Sequence, residues 1–212
     1  KNYGVSAVGG TLSQQPAQYA QQQIADAGLQ DRAQVRFQDY RDVPERAFDA
    51  VSSIGLTEHI GHANYPAYFS FLRGKLVDGG RLLNHCITRT DTRSKSSFRK
   101  GFINRYVFPD GELVGASRVM SAIEDEHLEI RHEENLREHY AMTLRDWCRN
   151  LEEHWDEAVE EVGEGKARVW RLYMAASRLG FDRNLIQLHQ VLATRTGEDG
   201  HSGVPLRLGI DG

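Results

Sequence analysis

Apolar positions in this chain fall into short runs whose period changes between glycine-rich and charged breaks. Val5 to Val8 reads as a β-type run closed by Gly9-Gly10, and Gln14 to Ala27 as a helix with Ser13 as N-cap, Pro16 in its first turn and Gly28 at its end. Gln34 to Gln38 alternates as a strand, Arg41 to Ala47 is polar loop, and Phe48 to Ile54 is a buried strand leading to an exposed Glu58-His59 pair. Asn64 to Lys75 spaces Tyr65, Tyr68, Phe69 and Leu72 as one face of an amphipathic helix, Asp78-Gly79-Gly80 turns the chain, and Arg81 to Ile87 is a further strand. Strands and helices alternating at these lengths predict right-handed βαβ units and a parallel, Rossmann-like sheet. Ligands of such sheets lie beyond the carboxyl ends of the strands, so Asp39, Tyr40, Glu58 and His59 are expected to face one crevice.

The second half is less regular. Arg89 to Ser97 is polar, and Phe98 to Leu113 carries Phe102, Ile103, Tyr106, Val107 and Phe108. Two readings stand for this aromatic stretch, a lid inserted over the crevice (88–126 as a whole) or a patch that packs on the core. Ser117 to Glu124 reads as a short helix, Leu128 to Leu136 as a charged edge-like strand, and His139 to Val162 and Lys166 to Gly180 as helices broken by Gly163 and Gly165. Leu185 to Thr194 is the last strand, and the glycine-containing tail 196–212 is expected to be disordered.

Composition narrows the function classes. The 212 residues suit one domain with an inserted lobe, and a formal net charge of -4 gives no reason to expect nucleic acid. No apolar run reaches the ~20 residues of a membrane span, and no signal peptide is visible. Cys86 and Cys148 are too far apart in sequence for a CxxC pair, which suits a reducing cytoplasm and no zinc site. Because Lys1 is followed so soon by a sheet-like run, a preceding segment is expected.

Six motifs in order then carry a resemblance. Gly10-Thr11-Leu12-Ser13, Gln38-Asp39-Tyr40-Arg41, Glu58-His59-Ile60-Gly61, His85-Cys86-Ile87, Phe102-Ile103-Asn104-Arg105-Tyr106-Val107-Phe108-Pro109 and Tyr140-Ala141-Met142-Thr143-Leu144-Arg145-Asp146-Trp147 together resemble the cyclopropane-fatty-acyl-phospholipid synthases and mycolic acid cyclopropane synthases. The match runs to about Arg195. It implies an α/β, Rossmann-like class I methyltransferase sheet that uses S-adenosylmethionine, with the first strand and its Gly-rich cofactor loop upstream of Lys1 and the last strand antiparallel, next to Leu128 to Leu136 at the sheet edge. One departure is Pro16, which stands where the family commonly has Gln; Gln14 and Gln15 are the nearby substitutes.

The resemblance also implies roles. Thr11, Leu12 and Ser13 would meet the ribose and amino-acid side of the cofactor, while Asp39 and Tyr40, with Arg41, would bracket the adenine. Glu58, His85, Tyr140 and the backbone amide of Ile87 would hold a bicarbonate ion that removes a proton from an acyl carbocation. Phe102, Tyr106 and Phe108, with Trp147 and Tyr173 as further candidates, would line a channel for the unsaturated acyl chain of a phospholipid. A dry aromatic pocket suits a cation, which ring faces stabilise and water destroys. His59 either orients Glu58 or sits on the surface, and Cys86 between two site residues points to the other face of its strand as a buried thiol. Arg89, Arg93, Lys95, Arg99, Lys100 and Arg105, interleaved with Phe98, Phe102 and Tyr106, suit peripheral contact with an anionic membrane face. Against this stand a small-molecule methyltransferase on the same sheet and a non-catalytic lipid-binding module; a homodimer is left open.

Overall fold

A computed structural model describes residues 2–92 and 101–206. The chain divides into two units, Lys1–Arg46 and Ala47–Gly212.

The first unit is a single βαβ turn. Strand β1 (Ala7–Thr11) pairs in parallel with β2 (Ala33–Phe37), and helix α1 (Gln14–Asp26) connects them. Gly9 and Gly10 lie inside β1 rather than closing it, because Gly9 sits against Val35, where an added Cβ would come within 3.2 Å of that side chain. Ser13 occupies the N-cap position, yet its side chain makes no cap hydrogen bond; instead its N–H donates to Thr11 Oγ1 at 3.2 Å. A 3-10 turn, Tyr40–Asp42, follows β2.

The second unit holds a four-stranded mixed sheet. Strand β3 (Phe48–Ile54) leads through a one-turn helix α2 (Thr57–Ile60) to α3 (Tyr65–Lys75), and β4 (Leu76–Arg89) follows α3 directly. The expected turn at Asp78-Gly79-Gly80 is an irregularity within β4: Phe48 faces Leu76 but Ala50 faces Arg81, so the chain loops out between those two pairs. Gly79 supplies the positive φ of 75° that this loop needs. The loop is pinned where Gly79 N–H donates to the Arg195 carbonyl and Arg195 N–H donates to that of Gly80.

Beyond the polar segment come α4 (Phe102–Tyr106), α5 (Ala116–Asp125) and β5 (Glu129–Asn135). Then follow α6 (Arg137–Glu153), α7 (Trp155–Val162), α8 (Glu164–Asp182) and β6 (Ile186–Thr194). The helix expected over His139 to Val162 is thus two helices that break at His154, while Gly163, at φ 81°, separates α7 from α8. The strand order is β3-β4-β6-β5. β4 runs parallel to β3, and β6 is antiparallel to both of its neighbours. The last strand is antiparallel and beside Glu129–Asn135 as expected, but it lies inside the sheet and β5 forms the edge.

Alternation along β4 explains the core. Leu82, Asn84, Cys86 and Thr88 are buried, while Ile87, one residue out of phase, packs on a cluster of Ala141 and Leu144 from α6, Phe181 from α8 and Leu188 from β6. Residues 196–206 form no helix or strand, yet they are held. Thr194 Oγ1 donates to the Ser202 carbonyl at 3.0 Å and Arg81 Nη2 to that of Gly203 at 3.0 Å.

Candidate active site

Glu58 is the centre of the second unit's site. It sits in the first turn of α2, past the carboxyl end of β3, and is 6% exposed, so the pair Glu58-His59 is split: Glu58 turns inward and His59 stays at the surface. The Ile87 N–H donates to Glu58 Oε1 at 2.7 Å, tying the carboxylate to the end of β4. The Glu58 carbonyl accepts from the Glu112 N–H at 2.7 Å. Glu112 in turn grips His62, accepting from its backbone N–H at 2.9 Å and lying 2.9 Å from its Nδ1. Burial raises the Glu58 pKa above the ordinary carboxylate value, opposed by the Ile87 hydrogen bond.

Aromatic side chains pack in two groups, one on His59 beside Glu58 and one on Tyr140. The Phe108 ring packs against His59 at 5.1 Å and edge-on to Tyr173 at 5.6 Å, and Tyr140 packs edge-on to Phe181 at 4.9 Å and Trp147 at 5.9 Å. Burial raises the pKa of Tyr140 and of Tyr173, and the Glu58 charge adds to both shifts, so both phenols lie within its field and stay protonated at neutral pH. The pKa of Tyr65 is raised by burial first, then by Cys86, Glu58 and Glu112, and Tyr65 donates its hydroxyl hydrogen to the Thr57 carbonyl at 3.2 Å. Cys86 is pushed up to about 12, first by burial and then by Glu58, and remains a buried thiol.

The other expected residues divide into those brought together and those held apart. His85 sits on β4 opposite Ile54, but its ring is oriented from β6: Gln190 Nε2 donates to His85 Nδ1 at 3.0 Å, leaving the neutral ring's proton on Nε2. Burial lowers the His85 pKa, which favours that neutral form. Phe102 and Tyr106 pair with each other at 5.4 Å, with Arg105 over the Tyr106 ring and Tyr106 54% exposed. Of the three residues expected to line the acyl channel, Phe108 packs on His59, the sequence neighbour of Glu58. Of the expected basic membrane face, Arg93, Lys95, Arg99 and Lys100, with Phe98, lie outside the described residues.

In the first unit, Asp39, Tyr40 and Arg41 form one tight group. Asp39 accepts from the Arg41 N–H at 2.9 Å and from its guanidinium at 3.0 and 2.7 Å, which holds the Asp39 pKa down to about 2. Arg41 also lies 5.9 Å from the Tyr40 ring centroid. An ionised carboxylate beside an aromatic face fits a purine with its amino group, and Thr11 and the exposed Leu12 stand at the end of the adjacent parallel strand.

Tyr65 and Gln190 escaped sequence reasoning. Tyr65 matched the apolar face of its helix and so looked like core alone. Gln190 is one of several polar residues in its strand, and its importance comes from a register that pairs it with His85.

A family profile described as Mycolic acid cyclopropane synthetase matches residues 1–191. The chain belongs to that family. Among its curated relatives is a Mycobacterium tuberculosis protein called a probable fatty acid methyltransferase, 62% identical over 204 residues, covering 96% of this chain and 48% of the relative. Another is the cyclopropane-fatty-acyl-phospholipid synthase of Escherichia coli, 32% identical over 201 residues, covering 94% and 50%. The solved structure of the cyclopropane synthase MmaA2 from Mycobacterium tuberculosis superposes with a TM-score of 0.82 at 26% identity, covering 91% of this chain and 71% of that one. Mycolic acid cyclopropane synthase CmaA1 complexed with SAH and CTAB gives the same TM-score and identity, covering 91% and 70%. The fold is that of the class I S-adenosylmethionine-dependent methyltransferases. The chain spans about half the length of the curated relatives it matches.

Proposed function

We propose that the protein carrying this chain transfers a one-carbon unit from S-adenosylmethionine to the double bond of an unsaturated fatty acyl chain of a phospholipid, closing a cyclopropane ring. The observation that carries this reading is Glu58, a buried carboxylate held by the Ile87 N–H, whose charge reaches the buried phenols of Tyr140 and Tyr173, in a member of the cyclopropane synthetase family. S-adenosylmethionine, when bound, supplies an electrophilic methyl group; Asp39, Tyr40, Thr11, Leu12 and Ser13 are the residues assigned to hold it.

Addition of a methyl to an alkene leaves a carbocation on the acyl chain. Phe108, Tyr140 and Tyr173 are the residues assigned to keep water from that cation and to offer ring faces to it. Loss of a proton from the newly added methyl carbon then closes the ring, and the proton needs an acceptor. A bicarbonate ion fits this role only in part: the Ile87 N–H assigned to hold it is already donated to Glu58, although the His85 Nε2–H stays available to donate. The Glu58 carboxylate, made more basic by burial, is the acceptor this geometry favours.

The test is to incubate the intact protein with S-adenosylmethionine and a monounsaturated phospholipid and to analyse the acyl chains. A mass gain of one CH2 per chain, with cyclopropyl protons in the magnetic resonance spectrum, is expected at a rate independent of added bicarbonate. Loss of turnover on bicarbonate depletion would return the proton to a bound ion, and an unaltered acyl chain would end the reading. A second outcome has support in the 62%-identical relative called a probable fatty acid methyltransferase: proton loss from an acyl carbon gives a methyl branch instead of a ring.

A further inference from the structure

A cavity of about 410 Å³ lies beside the start of α3 and along the outer face of α5, and Glu58, Phe108, Tyr140 and Tyr173 do not line it. Its lining is polar and has a direction. Thr92, Ser117 and Arg118 stand at one end, where Thr92 is fixed against the glycine preceding α5: a Cβ on Gly115 would meet Thr92 Cγ2 at 2.8 Å. Ser121 follows one turn on, and Asp125, the last residue of α5, closes the other end. Arg118 and Asp125 are seven residues apart, two helical turns or ~10 Å. Among the described residues, no ion pair engages either of them.

We propose that this cavity is a headgroup subsite for a phosphodiester that carries a primary ammonium, as in the ethanolamine headgroup of a phospholipid. A guanidinium flanked by hydroxyls is the donor set for a phosphate, and a carboxylate two turns away takes an ammonium on the far side. The volume is within the range of small-ligand pockets. The cavity also adjoins the Glu58 site through two of its own walls. Tyr65 lines it and donates to the carbonyl of Thr57, and His62 lines it and is held by Glu112, whose N–H donates to the Glu58 carbonyl. These contacts tie two walls of the cavity to the backbone of α2, the helix that carries Glu58. The proposal rests on the acyl-phospholipid reading for its biological meaning, but its ligand chemistry is testable separately.

The probe is sn-glycero-3-phosphoethanolamine, which has no acyl chain, titrated into the intact protein by calorimetry or ligand-observed magnetic resonance. Binding is expected, weakened roughly 10–100-fold by Arg118→Gln through loss of a charge-assisted hydrogen bond. Asp125→Asn should erase the preference over glycerophosphoglycerol, which lacks the ammonium. Inorganic phosphate binding as tightly as the probe, with no effect of Asp125→Asn, would overturn the headgroup assignment in favour of a plain phosphate site. In mixed micelles, Arg118→Gln should raise KM for both phosphatidylethanolamine and phosphatidylglycerol, Asp125→Asn should raise it for the first alone, and kcat should hold. Acyl methylation with both variants indistinguishable from wild type would sink the subsite and leave the reaction standing. Binding of the probe that depends on Arg118, in a protein that alters no acyl chain, would do the reverse.

Discussion

Glu58 is where stability and chemistry pull in opposite directions. Its pKa is raised in the folded protein, so the folded state holds the proton more tightly than the unfolded chain does. The stabilisation linked to this proton is complete below the unfolded carboxylate value of ~4.3 and is lost as pH rises through the higher folded value. Once ionised, the buried carboxylate is therefore a net cost. In Glu58→Gln the amide oxygen can still accept the Ile87 N–H without a charge to desolvate. This variant should melt at a higher temperature than wild type at pH 7, the gain vanishing toward pH 4, while turnover falls by roughly 10²–10⁴-fold. A lower melting temperature together with retained turnover would make Glu58 a structural residue. The sequence marked Glu58 by its place after a strand but read it as exposed. Its burial depends on α2, a four-residue helix too short to leave a periodicity, which turns Glu58 in and His59 out.

At the scale of elements, α6 and α8 act as a clamp that positions Tyr140. The two helices pack on each other and on β6, and Phe181, 1% exposed, stands edge-on to the Tyr140 ring. Truncation by Phe181→Ala should cost about 3–5 kcal/mol of unfolding free energy, since it opens a cavity where Leu144 and Leu188 meet. Urea titration measures this, and a loss below ~1 kcal/mol would show that the helices are not clamped there. Turnover in the folded fraction should also fall, because Tyr140 loses the partner that fixes its ring. Most of these elements were legible in the sequence. Period-two burial along Arg81 to Ile87 and the spacing of Tyr65, Tyr68, Phe69 and Leu72 are local properties that a single sequence carries. The break at His154 was not legible, since no glycine or proline marks it, and neither was the loop at Gly79, which resembles a turn until the pairing of β3 with β4 carries the strand past it.

Across the whole molecule, hydrophobic burial is unevenly shared between the two units. The second contains the four-stranded sheet and almost all of the buried apolar side chains; in the first, among the described residues, Ala17 is the one buried hydrophobic residue. Val8, Leu12 and Phe37 on or beside its two strands are 39%, 69% and 61% exposed. Two strands and one helix with so little burial are marginal in water on their own. The parallel βαβ pattern was legible here because it needs only strand and helix spacing, whereas the stability of the unit depends on what covers it, which no local pattern reports. Amide hydrogen exchange on this chain should show β1 and β2 exchanging with little protection, while β4 and β6, paired across nine residue positions, are protected to the global limit. In the intact protein, adding S-adenosylhomocysteine should slow exchange in Thr11 to Ser13 and Asp39 to Arg41 if those residues hold the cofactor. Exchange slowed elsewhere, with these two segments unchanged, would move the cofactor away from the first unit.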